Sequence, residues 1–254
     1  MRIGVLLSVR EKASRLPGKV IKQIFDKNVT EHLVSRLKMS KFADEIIIAT
    51  SKDKRDDVFE RIASDYDIKI YRGSEDDKLK RYYDTAKYFN LDAVVIVDGD
   101  DLLCFPEFVD ETIDELKKEL FSDVVFTKNL PLGAASSGLK TKALEKVLKL
   151  KDEENTEVWG GYFTSTNHFN VKYIKANGIF NNPNIRMTLD YDEDFQFFKT
   201  IFEKLYLKNT SFSSLDVMEL LNAEPSICEI NKRAQIKYEN HISDAATVKF
   251  KKGV

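Results

Sequence analysis

The chain has 254 residues, 43% hydrophobic and 32% charged, which suits one large domain, or a domain with an appendage, around a proper core. Its net charge of -2 excludes bulk nucleic-acid binding and a polybasic membrane surface, so any basic site must be local. Cys104 and Cys228 are too far apart for a zinc spacing or a disulfide framework, and no apolar run is long enough to cross a bilayer. No signal peptide is read ahead of the first strand, so a cytoplasmic location is expected.

Residues 2–7 form a short apolar run that predicts a buried first strand. A basic loop, Ser8-Val9-Arg10-Glu11-Lys12-Ala13-Ser14-Arg15-Leu16-Pro17-Gly18-Lys19, leaves its C-terminal end, where open α/β sheets place ligands. Arg10, Arg15 and Lys19 supply cations, Ser8 and Ser14 supply hydroxyls, and Pro17-Gly18 signals a turn. Guanidinium forks and exposed amides suit a polyphosphate, although composition alone also fits a solvated basic loop. The loop is not a Walker loop, because Gly-x-x-x-x-Gly-Lys-Ser/Thr is absent.

Further along, the pattern predicts a helix over 30–41 with Thr30 as N-cap, a strand over 45–50, and a helix over 54–66. A strand over 68–71 follows, closed by Arg72-Gly73-Ser74, then a helix capped by Asp76 or Asp77 and running to about 89. The most apolar strand, 93–97, ends in Asp98-Gly99-Asp100-Asp101, and a helix over 106–120 and a strand over 123–126 come next. This alternation predicts an α/β fold with an open, mostly parallel, doubly wound sheet. Beyond it, helices are expected over 143–150 and 193–206 and from about 212 with Ser213 or Ser214 as cap. Residues 185–190 read as strand, and 159–169 as strand or loop. Residues 231–254 are charged and poorly periodic and read as a surface arm or oligomerisation tail.

Three carboxylates in Asp98-Gly99-Asp100-Asp101 repel unless a cation neutralises them, and an oxygen-only set suits Mg²⁺; an acidic turn before a helix is the bland alternative. Asp190, in Leu189-Asp190-Tyr191-Asp192-Glu193-Asp194, falls at a second strand end, while Glu193 and Asp194 complement the following helix N-terminus. His32, His168 and His241 have no ligand spacing. His168, beside Thr164, Ser165, Thr166 and Asn167, is a candidate for lining an acceptor site, with a structural role as the alternative. Trp159 reads as packing first and as a stacking platform second.

The arrangement Arg10…Ser14-Arg15-Leu16-Pro17-Gly18-Lys19 after an N-terminal strand resembles the cytidylyltransferases that activate sugar acids. These are the Kdo and acylneuraminate enzymes, with the spore-coat polysaccharide cytidylyltransferase-like branch nearest. The resemblance covers about residues 2–225 and implies a nucleotide-diphospho-sugar transferase-like, GT-A-type fold: a nucleotidyltransferase domain over 1–225 with a C-terminal arm over 226–254. It implies transfer of CMP from CTP to a sugar acid or related acceptor, with Mg²⁺, for surface polysaccharide or glycan synthesis, and a homodimer. By position, Arg10, Arg15 and Lys19 hold phosphates with Ser8 and Ser14 beside them, and Asp100 and Asp190 bind the metal. Arg72, Gly73 and Ser74 border the nucleoside, and Asp98 stands where the family has Gln or Thr. The catalytic set implied is Arg10, Lys19, Asp100 and Asp190.

The departures fall on the acceptor side. Leu102 replaces the Pro of Gly-Asp-x-Pro, and in Pro131-Leu132-Gly133-Ala134-Ala135-Ser136-Ser137 the branch's Arg becomes Leu132 and its acidic pair becomes Ala135 and Ser137. The family's Arg-Glu-His becomes Val158-Trp159-Gly160. Ala135, Ser137, Trp159 and His168 are therefore the candidate acceptor residues, and a less hydroxylated acid than Kdo or N-acetylneuraminate is expected. Two other readings stay open: a glycosyltransferase using Asp98-Gly99-Asp100 as an Asp-x-Asp grip, and a non-catalytic nucleotide-binding module.

Overall fold

The computed structural model describes residues 1–118, 121–245 and 248–251. The expected helix end at 120 and the last residues of the 231–254 stretch lie outside them. In chain order the strands are β1 (Ile3–Ser8), β2 (Gln23–Ile24), β3 (Lys27–Asn28), β4 (Glu45–Ser51), β5 (Lys69–Gly73), β6 (Ala93–Asp98), β7 (Val124–Lys128), β8 (Ser137–Lys140) and β9 (Val171–Lys175). The helices are α1 (Val29–Leu37), α2 (Val58–Asp65), α3 (Lys78–Tyr88), α4 (Pro106–Lys118), α5 (Thr141–Leu150), α6 (Gly161–Thr164), α7 (Asp192–Leu205), α8 (Ser214–Ala223), α9 (Ser226–Glu229) and α10 (Lys232–Ala245). Among the described residues no helix is long and apolar enough to cross a membrane.

Seven strands form one sheet in the order β5-β4-β1-β6-β8-β7-β9, and β2 and β3 form a separate ribbon. Burial on both faces explains the continuous apolar runs of β1 and β6. Ile3, Val5 and Leu7 pack with Leu33 of α1, Phe59 of α2, Ile113 of α4, Phe198 of α7 and Met218 of α8. Leu6 points to the opposite layer, among Leu79 and Tyr82 of α3, Leu144 of α5 and Phe163 of α6. The sheet is thus open, mostly parallel and covered by helices on both faces, as expected.

The exception to parallel pairing is β8, which enters antiparallel between β6 and β7, with Val94 opposite Leu139 and Val124 also opposite Leu139. Its Gly138 leaves no side chain where Leu116 and Thr112 of α4 press on the sheet; a Cβ there would meet each at 2.8 Å. For function the register of β1 against β6 matters most. Ser8 pairs with Asp98, so the basic loop and the first carboxylate stretch leave neighbouring parallel strands side by side.

Four local expectations are corrected. The N-cap of α1 is Asn28, whose Oδ1 accepts from Glu31 N (2.9 Å) while Glu31 Oε2 accepts from Asn28 N (2.7 Å). The Thr30 hydroxyl donates instead to Val20 O (2.8 Å). Residues 185–190 are not a strand. They cross beyond the sheet end, with a single bridge between Arg186 and Leu132, and Leu189 N donates to Asp100 O (2.9 Å). Residues 159–169 hold the short helix α6 rather than a strand, because Tyr162 and Phe163 turn inward to the core. The stretch from 231, read as a surface arm or oligomerisation tail, is no free arm: it forms α10 and packs back, with Ala234 fully buried and Lys151 bridged to Phe250.

Candidate active site

Buried Leu16 and Val20 anchor the basic loop in the core and hold Lys19 between them. Glu11 N donates to Asp56 Oδ1 (2.8 Å), tying the outer part of the loop to the end of β4. Gly18 has φ +67°, the left-handed turn that Pro17-Gly18 predicts. The opposing loop comes so near that a Cβ on Gly99 would lie 2.6 Å from Val9 Cγ2, and Gly99 N donates to Ser8 O (2.8 Å). Only glycine fits that crossing.

On either side of Gly99 the carboxylates diverge into two ionic clusters in an open cleft of about 990 Å³. In the inner cluster Lys19 Nζ donates to Asp100 Oδ2 (2.7 Å), Leu189 O (2.7 Å) and Asp190 Oδ1 (3.0 Å). Burial opposes the ammonium, but Asp100 and Asp190 outweigh it and hold the Lys19 pKa above the ordinary lysine value. Asp190 Oδ1 also accepts from Arg15 Nη2 (2.5 Å), and its Oδ2 accepts from Arg186 Nη2 (3.1 Å). Arg186 is buried and forks onto Asp194 through Nε (2.8 Å) and Nη2 (2.9 Å). Asp194 Oδ2 in turn accepts from Asp190 N (2.9 Å) and Tyr191 N (3.0 Å). Asp194, expected only to complement the α7 N-terminus, therefore also fixes the backbone that presents Asp190.

In the outer cluster Lys78 Nζ reaches Asp98 Oδ1 (3.2 Å) and Glu157 Oε1 (3.1 Å). Arg10 donates to Glu157 Oε2 (2.6 Å) and to Glu75 O (2.6 Å). Burial and the nearby Asp100 and Glu157 charges raise the Asp98 pKa despite Lys78. Burial against Lys19's pull leaves Asp100 lowered, whereas burial and three neighbouring aspartates push Asp101 well above its usual range. Beside these, Arg81 is fully buried and donates to Ser74 O (2.6 Å), while Tyr82 donates to Ser8 Oγ (2.8 Å). The far wall is apolar, with Phe126, Trp159 and Tyr162 next to Ala135 and Ser137.

Of the residues singled out in the sequence, Ser8, Arg10, Ser14, Arg15, Lys19, Asp98, Asp100, Ala135, Ser137, Trp159 and Asp190 line this cleft. Arg72, Gly73, Ser74 and His168 do not. The Arg72 guanidinium turns away to Ser51 O (2.9 Å), Asp53 O (2.7 Å), Asp57 and Glu60, clamping β5 to β4 and α2. Gly73 packs under Arg81, and Ser74 reaches the cleft only through the carbonyl that holds that arginine. The His168 carbonyl accepts from Lys146 Nζ of α5, outside the cleft lining. Arg81, which the resemblance placed with the segment bordering the nucleoside, lines the cleft, as do Lys78, Glu157, Tyr238 and Lys249, which were not singled out. The spacing of Lys78 one helical turn before Arg81, at the start of α3, was the available signal for Lys78.

A family model described as cytidylyltransferase matches residues 5–225. An uncharacterized protein of Methanocaldococcus jannaschii is 30% identical over 246 residues, 96% of this chain and 100% of that protein. The spore coat polysaccharide biosynthesis protein SpsF of Bacillus subtilis is 26% identical over 227 residues, covering 87% of this chain and 94% of its own. Among solved structures, a cytidylyltransferase from Leptospira borgpetersenii superposes with a TM-score of 0.81 at 26% identity, over 90% of this chain and 97% of that one. With its sheet, its cleft at the ends of β1 and β6, and a match across most of its length, this chain belongs to the cytidylyltransferase family.

Proposed function

We propose that this protein transfers CMP from CTP to a sugar acid or a related small acceptor and releases pyrophosphate, in a step of polysaccharide or glycan synthesis. The observation that carries the reading is the meeting of Lys19, Asp100 and Asp190 in one cleft, from stretches some eighty to ninety residues apart. A cation held between two carboxylates, with a second cation from Arg15, is the charge pattern that a metal-bound polyphosphate needs. The acceptor oxygen attacks the α-phosphorus as the bond to pyrophosphate breaks, and the attacking hydroxyl gives its proton to solvent in the open cleft. Arg15 and Lys19 neutralise the departing diphosphate, Arg10 and Ser14 hold the outer phosphates, and Ser8 and Asp98 face the nucleoside side. Holding acceptor and phosphorus in line within the cleft is the larger source of rate.

Asp100 and Asp190 offer an oxygen-only donor pair of the kind that suits Mg²⁺, both already gripping one ammonium, Lys19 Nζ, at 2.7 and 3.0 Å. Asp100 and Asp190 would hold the ion, which supplies Lewis-acid stabilisation of the phosphate charge. Lys19 neutralises that pair in this structure, and with an ion held there its ammonium would be released to pair with the phosphates. The glycosyltransferase reading is weaker, because Asp98 and Asp100 are drawn apart by Lys78 and Lys19 and do not form one grip.

The test is a pyrophosphate-release screen of the four nucleoside triphosphates against sugar acids and sugar phosphates, with and without excess chelator. CTP is expected to give the highest turnover, and chelator to abolish it. Turnover with no triphosphate, or full activity in chelator, refutes the reading.

A further inference from the structure

We propose that Tyr238, beyond the residues the family model matches, is a positioning residue whose ring face holds the Arg15 guanidinium over the cleft for nucleotide binding; this rests on the function proposed above. The matched region ends at residue 225, yet α10 returns to the centre of the inner cluster. Asn231, Ala234, Gln235 and Tyr238 are spaced i, i+3, i+4 and i+7, so they share one helical face. Asn231 Nδ2 donates to Asp194 Oδ1 (3.0 Å) and Arg186 O (3.1 Å), and Gln235 Oε1 accepts from Arg186 Nη1 (3.3 Å). One turn on, the Tyr238 ring centroid lies 4.7 Å from the Arg186 guanidinium and 5.8 Å from that of Arg15. Tyr191 lies 5.8 Å from each, so two aromatic rings flank two like charges that grip opposite oxygens of Asp190.

Arg186 is secured by its fork onto Asp194. Arg15 is not, since it rises from an irregular loop and its ion pair is with Asp190, which Lys19 shares. If Asp190 turns its charge to a bound cation, Arg15 loses its partner at the moment a phosphate needs it. A ring face is indifferent to that exchange. Its attraction for a guanidinium persists whether or not the carboxylate is engaged, and it requires the π face rather than the hydroxyl. Tyr238 is thus suited to keep Arg15 aimed at the cleft it lines.

Full-length wild type and the variants Tyr238→Ala, Tyr238→Leu and Tyr238→Phe are titrated calorimetrically with CTP in Mg²⁺ and assayed for pyrophosphate release, with thermal melts to follow folding. Ala and Leu are each expected to weaken CTP binding about fivefold to thirtyfold, and Phe to stay within about twofold of wild type. Leu preserves the apolar bulk, so it decides the matter if Ala fails to fold. In an Arg15→Ala background Tyr238→Leu is expected to add less than about twofold, whereas a merely structural role would leave its effect undiminished. Ile236→Ala, on the exposed side of the same helix, is expected to bind CTP as wild type does. Unchanged affinity in Leu, a Phe variant as weak as Leu, or full additivity with Arg15→Ala overturns the inference while leaving the proposed function standing. A wild-type protein that neither binds CTP nor releases pyrophosphate overturns both.

Discussion

Replacing Lys19 by methionine is expected to move two affinities in opposite directions. The ammonium uses its three donors on Asp100 Oδ2 (2.7 Å), Leu189 O (2.7 Å) and Asp190 Oδ1 (3.0 Å), the two carboxylates proposed to take the metal. A cation arriving in the wild type has to displace or tolerate that charge, and in the variant it does not. Two unit charges about 4 Å apart interact by about 4 kcal/mol at an effective dielectric near 20, and by about 1 kcal/mol in bulk water. The cleft is open and Asp100 is partly exposed, so the lower end applies. Mg²⁺ alone should therefore bind Lys19→Met about fivefold more tightly, at about 1.4 kcal/mol per decade. CTP without metal should bind more weakly, because one charge-assisted hydrogen bond of about 1.5–3 kcal/mol is lost, a factor of about ten to a hundred. Separate calorimetric titrations with Mg²⁺ and with CTP in chelator measure both. Methionine retains an apolar stem of similar length, and Asp190 retains Arg15 and Arg186, so the site should stay folded. Mg²⁺ affinity equal to or below wild type would refute the idea that the ammonium stands in the cation's place.

Gly133 has φ +93°, and a Cβ there would lie 2.3 Å from Met187 O, so Gly133→Ala should destabilise the fold by about 3 kcal/mol in urea unfolding. A loss below about 0.5 kcal/mol would show that the crossing of 131–133 with 186–188 yields easily. Kdo and N-acetylneuraminate should each fall more than about tenfold below the best acceptor in kcat/KM, since one unpaired buried polar group costs about 1–3 kcal/mol. Ala135, Phe126, Trp159 and Tyr162 offer those hydroxyls little, and efficient Kdo turnover would show that this wall has been misassigned. His32 is buried with Nε2 2.7 Å from Ile24 O, and burial lowers its pKa. The unfolded chain therefore takes up the proton first as pH falls, so stability should drop below about pH 6.5. His32→Gln should flatten the urea-unfolding difference between pH 7.5 and 5.5, and an unchanged difference would place the titration elsewhere.

The parallel core was legible because strands buried on both faces must be continuously apolar, as Val94-Val95-Ile96-Val97 is, and because amphipathic helices advertise their inner face. The position of the cleft followed from the same pattern, since loops at the C-terminal ends of adjacent parallel strands converge, and the Ser8–Asp98 register brings the two loops together. Arg15, Lys19, Asp100 and Asp190 were readable as candidates from residue type and spacing. Arg72 was not readable in the same way, because a guanidinium can swing to either side of a strand end, and only the placement of α2 gave it Asp57 and Glu60 as partners.

Local sequence also settled Pro17-Gly18 as a turn and narrowed the cap of α3 to Asp76 or Asp77; the structure places it at Asp77, whose side chain accepts from Lys80 N (3.0 Å). Tertiary structure alone decided the rest. The antiparallel entry of β8 depends on the space that Gly138 opens beneath α4, a contact between distant segments. The parting of Asp98 from Asp100 depends on Gly99 being pinned to Ser8 O, after which each carboxylate meets the lysine on its own side. The C-terminal helix is the sharpest case. Its inner face is carried by Asn231, Gln235 and Tyr238 rather than by an apolar stripe, so periodicity registered only a charged, irregular tail. Polar side chains can be drawn inside only where partners already wait for them, and those partners, Arg186 and Asp194, lie some forty residues earlier in the chain.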